Sequence, residues 1–337
     1  MNQLIIVISV LLLAVLIVLI ACLAYVMWMP RRSGSDFIRP LTSKEGKIQK
    51  NIEAHVRKLA TQIGERNVWT YEELEESAAY LTQVLEDLGY TVKEQRYRVL
   101  DKDVRNLEVE IPGVSTSDEI VLVGAHYDSA IGAPGANDNA SGVAALVEIA
   151  RLFFGRKCDK TLRFVFFTNE ESPFFQTTDM GSLVYARRSR ERNEKIVAML
   201  CLETIGYYSN ESGSQKYPFP FSSFYPHRGN FLAFVGNLAS RQLVHRTITS
   251  FRKHTSFPSE GAAAPQWITG INWSDQWSFW RQNYPAVMLT DTALFRYPAY
   301  HTEMDTGEKL NYNALSRIVL GLYRVVSDLA CDKAGYD

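Results

Sequence analysis

The chain has 337 residues, 46% hydrophobic and 22% charged, with 36 basic side chains against 37 acidic ones. That is a globular composition, long enough for one generous domain or two small ones with a full core. A formal net charge of -1 and an isoelectric point near 6.6 exclude nucleic acid as a partner, which would need a strong basic excess. The four cysteines, Cys22, Cys158, Cys201 and Cys331, are too few and too far apart in sequence for a disulfide framework or a cysteine zinc knot.

From Leu4 to Trp28 no residue is charged, a run of about 25 residues that can span a bilayer. Tyr25 and Trp28 sit where an interfacial aromatic belt belongs, and Pro30-Arg31-Arg32 ends the run. An uncleaved anchor is favoured over a signal peptide, because Met1-Asn2-Gln3 supplies no basic start and the apolar run is too long. Leu19-Ile20-Ala21-Cys22 resembles a lipobox but leads into more apolar residues, not a polar linker. Basic residues at Arg31, Arg32, Arg39, Lys44, Lys47 and Lys50 argue for a cytoplasmic domain. The expected organisation is an anchor over 1–30, a linker over 31–43 and a catalytic domain over 44–337.

Helical periodicity follows at 44–65 and at 70–88, where Leu74, Ala78, Leu81, Val84, Leu85 and Leu88 share a face. Strand-like runs are Tyr90 to Val99, Leu107 to Ile111, Ile120 to Val123, Leu162 to Phe167, Ile196 to Leu202, Phe231 to Val235 and Ala286 to Leu289. Helical patterns at 141–154, 181–193, 238–253 and 312–330 separate several of them. Strands alternating with helices predict an α/β fold with a mixed, largely parallel central sheet. Two aromatic stretches rich in Pro, Gly and Ser, 206–230 and 257–274, read as loops and as candidate pocket walls, or as plain surface loops packing their own aromatics.

Polar clusters follow the ends of the strand-like runs, where open α/β sheets place their ligands. His126 ends one run. Alone, such a histidine is more often structural, but Asp128 two residues on suits a carboxylate that fixes a ligand histidine's tautomer. Asp138 lies in Gly135-Ala-Asn-Asp-Asn-Ala-Ser-Gly142, which by itself reads as an Asx turn and helix cap. Asn139-Ala140-Ser141 within it matches a glycosylation sequon that its neighbours make a false positive. Glu170 and Glu171 follow a strongly apolar strand, and consecutive side chains on extended backbone point apart, so one can bind a metal while the other faces its water. Glu203, after another apolar strand, needs compensation that a cation supplies most simply. His301 completes a set suited to two metals. Two divalent ions, the three carboxylates Asp138, Glu171 and Glu203, and a bridging hydroxide sum to zero charge.

In order and spacing, His126-x-Asp128, the Asp138 tract, Glu170-Glu171, Glu203 and Tyr300-His301-Thr302 resemble the zinc aminopeptidase family, the twenty-eighth of the metallopeptidases. The resemblance covers roughly residues 45–330. It implies a three-layer α/β/α sandwich with two Zn(2+) ions, one on His126, Asp138 and Glu203 and the other on Asp138, Glu171 and His301. It also implies Glu170 as general base, Asp128 as the partner of His126, a peptide substrate and an extracytoplasmic domain, the last against the basic flank. Aminopeptidase activity is the leading expectation. A glutaminyl cyclase on the same scaffold and a receptor-like domain are the alternatives. A serine hydrolase is excluded by the lack of a Gly-x-Ser-x-Gly elbow. Two departures stand out: Glu203 where family aminopeptidases usually carry Asp, and Gln276 where the stretch Ser274-Asp275 is often followed by His. His55, His227, His245 and His254 fall outside the motifs and read as surface or structural.

Overall fold

The computed structural model describes residues 2–35, 39–219 and 221–331. Positions 36–38 of the expected linker and the last six of the expected catalytic domain lie outside them. The first helix, α1 (Asn2–Met27), is one continuous apolar rod whose stretch Gln3–Met27 is long and apolar enough to cross a membrane. Its C-terminal end lies against the domain. Arg241 donates to the Tyr25 carbonyl at 3.1 Å, His245 Nε2 lies 3.1 Å from the Trp28 carbonyl, and Arg252 reaches the carbonyls of Pro30 and Arg31.

Helix α2 (Ser43–Val56) starts on a capping box, Thr42 and Glu45 each accepting from the other's backbone N–H, and buries Ile48, Ile52 and Val56 at a spacing of four. It runs on as a wider turn over Arg57–Ile63 and is followed by α3 (Tyr71–Asp87). Strands β1 (Lys93–Val99), β2 (Lys102–Ile111) and β3 (Thr116–His126) lead to α4 (Gly142–Phe153) and β4 (Lys160–Phe167). Then come α5 (Gly181–Glu191), β5 (Lys195–Glu203), β6 (Leu232–Gly236), α6 (Arg241–His254) and β7 (Ser259–Ala263). Helix α7 (Gln276–Arg281), β8 (Ala286–Thr290) and α8 (Tyr312–Ala330) complete the order.

The strands form one eight-stranded mixed sheet in the order β1-β2-β4-β3-β5-β8-β6-β7. Its centre, β4-β3-β5-β8, is parallel, so four strands end along the same edge. Successive side chains of β3 enter opposite layers: Val121, Val123 and Ala125 join the core under α2, α4 and α8, while Ile120 and Leu122 join a smaller one with α5 and α7. The molecule is thus a three-layer α/β/α sandwich.

Two sequence expectations need correction. Residues 257–274 are not all loop: Ser259–Ala263 pairs with β6 as the edge strand. The run Ser-Glu-Gly-Ala-Ala has too few β-branched or aromatic residues to signal a strand. Nor are the cysteines all apart, since Cys158 and Cys331 form a disulfide across 173 residues of sequence, with their Cα atoms 4.2 Å apart. Helix α8 packs back over β3 and β4 and delivers Cys331 beside the start of β4, a proximity that sequence distance conceals.

Candidate metal centre

His126, Asp128, Glu170, Glu171 and Glu203 enter from strand ends, Asp138 from the turn that opens α4 and His301 from the loop between β8 and α8. His126 is the last residue of β3 and is fully buried. Its Nε2 lies 3.3 Å from both Asp138 Oδ1 and Glu203 Oε2, and 3.9 Å from Glu170 Oε2. His301 Nε2 approaches Asp138 Oδ2 at 2.9 Å and Glu171 Oε2 at 3.2 Å. Two overlapping donor groups result, His126–Asp138–Glu203 and Asp138–Glu171–His301, each with its donor atoms within 4.8 Å of one another, and Asp138 belongs to both.

The backbone around Asp138 depends on residues with no larger substitute. Gly135 has φ +62°, and a Cβ there would meet the Asp138 carbonyl at 2.3 Å. The Asp305 carboxylate accepts from the backbone N–H groups of Asn137 and Asp138 at 2.8 and 3.1 Å. Asn139 ties the turn to β5 by donating to the Leu202 carbonyl and accepting from Thr204 N–H, and it is wholly buried, so the sequon is inaccessible. Asp128 accepts from the backbone N–H groups of Glu170 and Glu171 at 3.2 and 3.1 Å, and its Oδ1 stands 3.4 Å from His126 Nδ1. One carboxylate therefore locates three of the other residues. Ser274 donates to Glu203 Oε2 at 2.6 Å.

Crowded acids share too few protons. Burial and the neighbouring Asp138 push Glu171 up to about 7, against the pull of His301. Burial likewise raises Glu170 well above the usual carboxylate range, opposed by His126 and reinforced by Glu203 and Glu171. Burial disfavours the charged form of His301, yet Asp138 and Glu171 lift it to about 11. Burial opposes the ionised form of Asp138 too, but His126 and His301 hold its carboxyl below the ordinary value. Even so, His126 Nε2, Asp138 Oδ1 and Glu171 Oε1 are buried and make no hydrogen bond. Orphaned acceptors of this kind, converging from nitrogen and oxygen donors, fit a zinc-type cation.

Three contributors were not named from the sequence: Arg66 and Asp305 lie at no strand end, whereas Asp291, next after the apolar β8, did carry that signal and was passed over. Arg66 is fully buried and donates to the carbonyls of Gly64, Tyr127, Pro134 and Gly135, stitching the Asp128 loop to the Asp138 turn. Asp305 sits four residues beyond His301, and that nearness was the one available clue. Asp291, after β8, accepts from Asn137 Nδ2 and Tyr207 N. Gln276 faces inward, fully buried, donating to the Ile271 carbonyl. Of the histidines outside the motifs, His55 pairs with Tyr80 and His254 with Asp328.

A cleft lined by Glu170, Glu171, Ser172, Glu203, Tyr300 and His301 gives access to this centre. Beside it, sharing Glu203, Trp273 and Tyr300, opens a cavity of about 860 Å³ including its mouth. Tyr217, Phe221 and Tyr225 from one aromatic stretch and Ile268 and Ile271 from the other line that cavity.

The sandwich, the donor set at the strand ends and the adjoining apolar cavity are those of a metal-dependent hydrolase. The model of Peptidase family M28 matches residues 106–326. An uncharacterised protein of Escherichia coli (strain K12), YfbL, is 35% identical over 280 residues, covering 80% of this chain and 85% of that one. The chain belongs to peptidase family M28, a metallopeptidase family, which implies zinc. In fold it is similar to BSAP, a zinc aminopeptidase from Bacillus subtilis (TM-score 0.69, 15% identity, covering 88% of this chain and 98% of that one). It is also similar to Bacteroides thetaiotaomicron glutaminyl cyclase (TM-score 0.63, 18% identity, 82% and 97% covered).

Proposed function

We propose that this protein is a two-zinc aminopeptidase. The observation that carries the reading is the pair of donor triads sharing Asp138, with buried donor atoms that make no hydrogen bond among the described residues. His126, Asp138 and Glu203 would hold one ion, and Asp138, Glu171 and His301 the other. When bound, zinc supplies Lewis acidity toward a carbonyl oxygen and toward water. Glu170, whose carboxyl burial raises, takes the proton of the attacking water and passes it to the leaving amine. Asp128 keeps Glu170 and Glu171 in register through their backbone N–H groups, and its proximity to His126 Nδ1 favours the tautomer whose Nε2 lone pair faces the site.

Among the described residues, neither the cleft nor the cavity is lined by lysine or arginine. A carboxypeptidase needs a cation to hold its substrate's terminal carboxylate, and the described lining of both spaces offers neither lysine nor arginine for it. That lack favours the amino end. The Cys158–Cys331 disulfide supports a domain on the oxidising side of the membrane and outweighs the basic flank. A C-terminal reporter fusion active only in the cytoplasm would overturn that placement.

The test uses the full chain in detergent, with aminoacyl anilides, an N-terminal glutaminyl peptide and metal analysis. Glu170→Gln is expected to keep its zinc while kcat falls about 10²- to 10⁴-fold. Unchanged turnover in that variant, or a wild type that binds no zinc, defeats the reading. Cyclisation of the glutaminyl peptide with no anilide hydrolysis replaces it with the cyclase.

A further inference from the structure

The cavity beside the metal centre is apolar along its walls and acidic at its far end. Its floor is the face of β8, β6 and β7. Register pairs Glu203 with Thr290, Thr290 with Ala233, and Ala233 with Glu260, so these four residues form one row across four neighbouring strands, and all four line the cavity. Directly paired residues present their side chains to the same face of a sheet. Three strand spacings separate Glu203 from Glu260, about 14 Å between Cα atoms. Between them, Ala233 and Thr290, with Val235 in the next row, are small enough to leave a trough.

Glu260 has little to satisfy it. Its side chain is 24% exposed, and the cation that comes within 4 Å is Arg252, whose Nη2 stands 3.9 Å from Oε2, too far for a hydrogen bond. Arg252 is engaged elsewhere: Nε with Ser259 Oγ, Nη1 with the carbonyls of Pro30 and Arg31, and Nη2 with the carbonyl of Ser259. The Ser33 hydroxyl also hydrogen-bonds the carboxylate. Tyr217 and Tyr225 approach with their hydroxyls already donated, to the carbonyls of Pro226 and Gly261, and their stacked rings line the same cavity. A half-buried carboxylate short of donors, beside two aromatic faces, is a setting for an incoming cation.

We infer that Glu260 makes this cavity the receptacle for a long basic side chain, so that the enzyme prefers N-terminal lysine or arginine. The apolar trough takes the methylene stem, and Glu260 takes the ammonium or guanidinium at its tip. Leucine and methionine fit the trough but bring Glu260 no donor beyond Ser33 and the distant Arg252; an acidic side chain is repelled. The inference rests on the aminopeptidase reading for the orientation of the substrate.

Binding and turnover separate the two. By calorimetry on the zinc-loaded full chain, lysinamide is expected to bind about tenfold tighter than norleucinamide, its near-isostere without the charge. Glu260→Gln and Glu260→Ala are expected to erase that ratio while leaving norleucinamide within about twofold, which also shows that the variants fold. The same collapse should appear in the kcat/KM ratio of lysyl to norleucyl anilide. A wild type that binds norleucinamide as tightly as lysinamide, a ratio that survives both substitutions, or failure of both amides to bind overturns the inference. Anilide hydrolysis with no lysine preference defeats the inference alone, whereas absence of hydrolysis of every anilide defeats the aminopeptidase reading.

Discussion

Around His126 the cleft is built of charge located by charge, whereas three strands along the same sheet it is aromatic carbon over alanine and valine. In the first region the acids beside the donors and the donors themselves are held by further polar groups: Asp128 by two backbone N–H groups, Asp138 through Asp305, Glu203 through Ser274. In the second, the walls come from irregular segments and only the floor is regular structure. The contrast separates two demands. Geometry at the reacting atoms tolerates little displacement, so its residues are over-determined, while a side-chain pocket needs volume and one polar group at the right depth.

The largest effect is expected where both donor triads meet. Asp138→Ala should strip bound metal and lower kcat/KM by about 10³-fold or more. Activity within tenfold of wild type, or full metal content by elemental analysis, would break the distinction between the two regions. Next comes Arg66→Met, which keeps length but removes a buried cation and the donor to the Gly64, Tyr127 and Pro134 carbonyls, that of Gly135 keeping Ala140 N–H. An unfolding free-energy loss of about 3–5 kcal/mol is expected in denaturant titration. A loss below about 1 kcal/mol would mean the two loops hold themselves.

Filling the trough should act on binding alone. Ala233→Phe is expected to raise KM for long side chains about 10- to 100-fold, leaving alanyl anilide and the metal content nearly unchanged. An equal fall for alanyl substrate would show that the floor and the metal centre are not separable. The smallest effect concerns a charge away from both regions. Lys160 and Lys195 hydrogen-bond the half-buried Glu119 at the rim of the sheet and push its carboxyl down to about 2 from 4.5. A depressed carboxyl stabilises the fold above its unfolded value, and that contribution disappears as pH falls through the folded one. Glu119→Gln should therefore lower Tm slightly at pH 7, the difference closing between about pH 4 and 2. A gap that persists at pH 2 would assign it to packing.

The same contrast decides what the sequence disclosed. Apolar strands ending in a lone acid or histidine stand out because buried runs are continuous and their polar terminators abrupt, so the residues the structure brings together around Asp138 could be named beforehand. Helices with clean periodicity were equally legible, α8 to the residue. Arg66 was not, because its partners are backbone carbonyls distributed over more than 70 positions of chain and leave no pattern. Strand β7 was missed because Ser, Gly and Ala carry weak strand preference. The row Glu203–Thr290–Ala233–Glu260 exists only once sheet order and register are known. The disulfide is of the same kind, a contact created by the return of α8.

Strand β7 ends the sheet, and an end strand offers unpaired backbone groups to any passing extended chain. Here the segment leaving α1 covers it: Ser259 N–H donates to Ser33 Oγ at 2.9 Å, and Met29 lies against Gly261. The tether therefore doubles as a guard on the open edge. Cutting the chain after residue 34 to obtain a freely soluble form would uncover β7, and the released domains would be prone to join edge to edge.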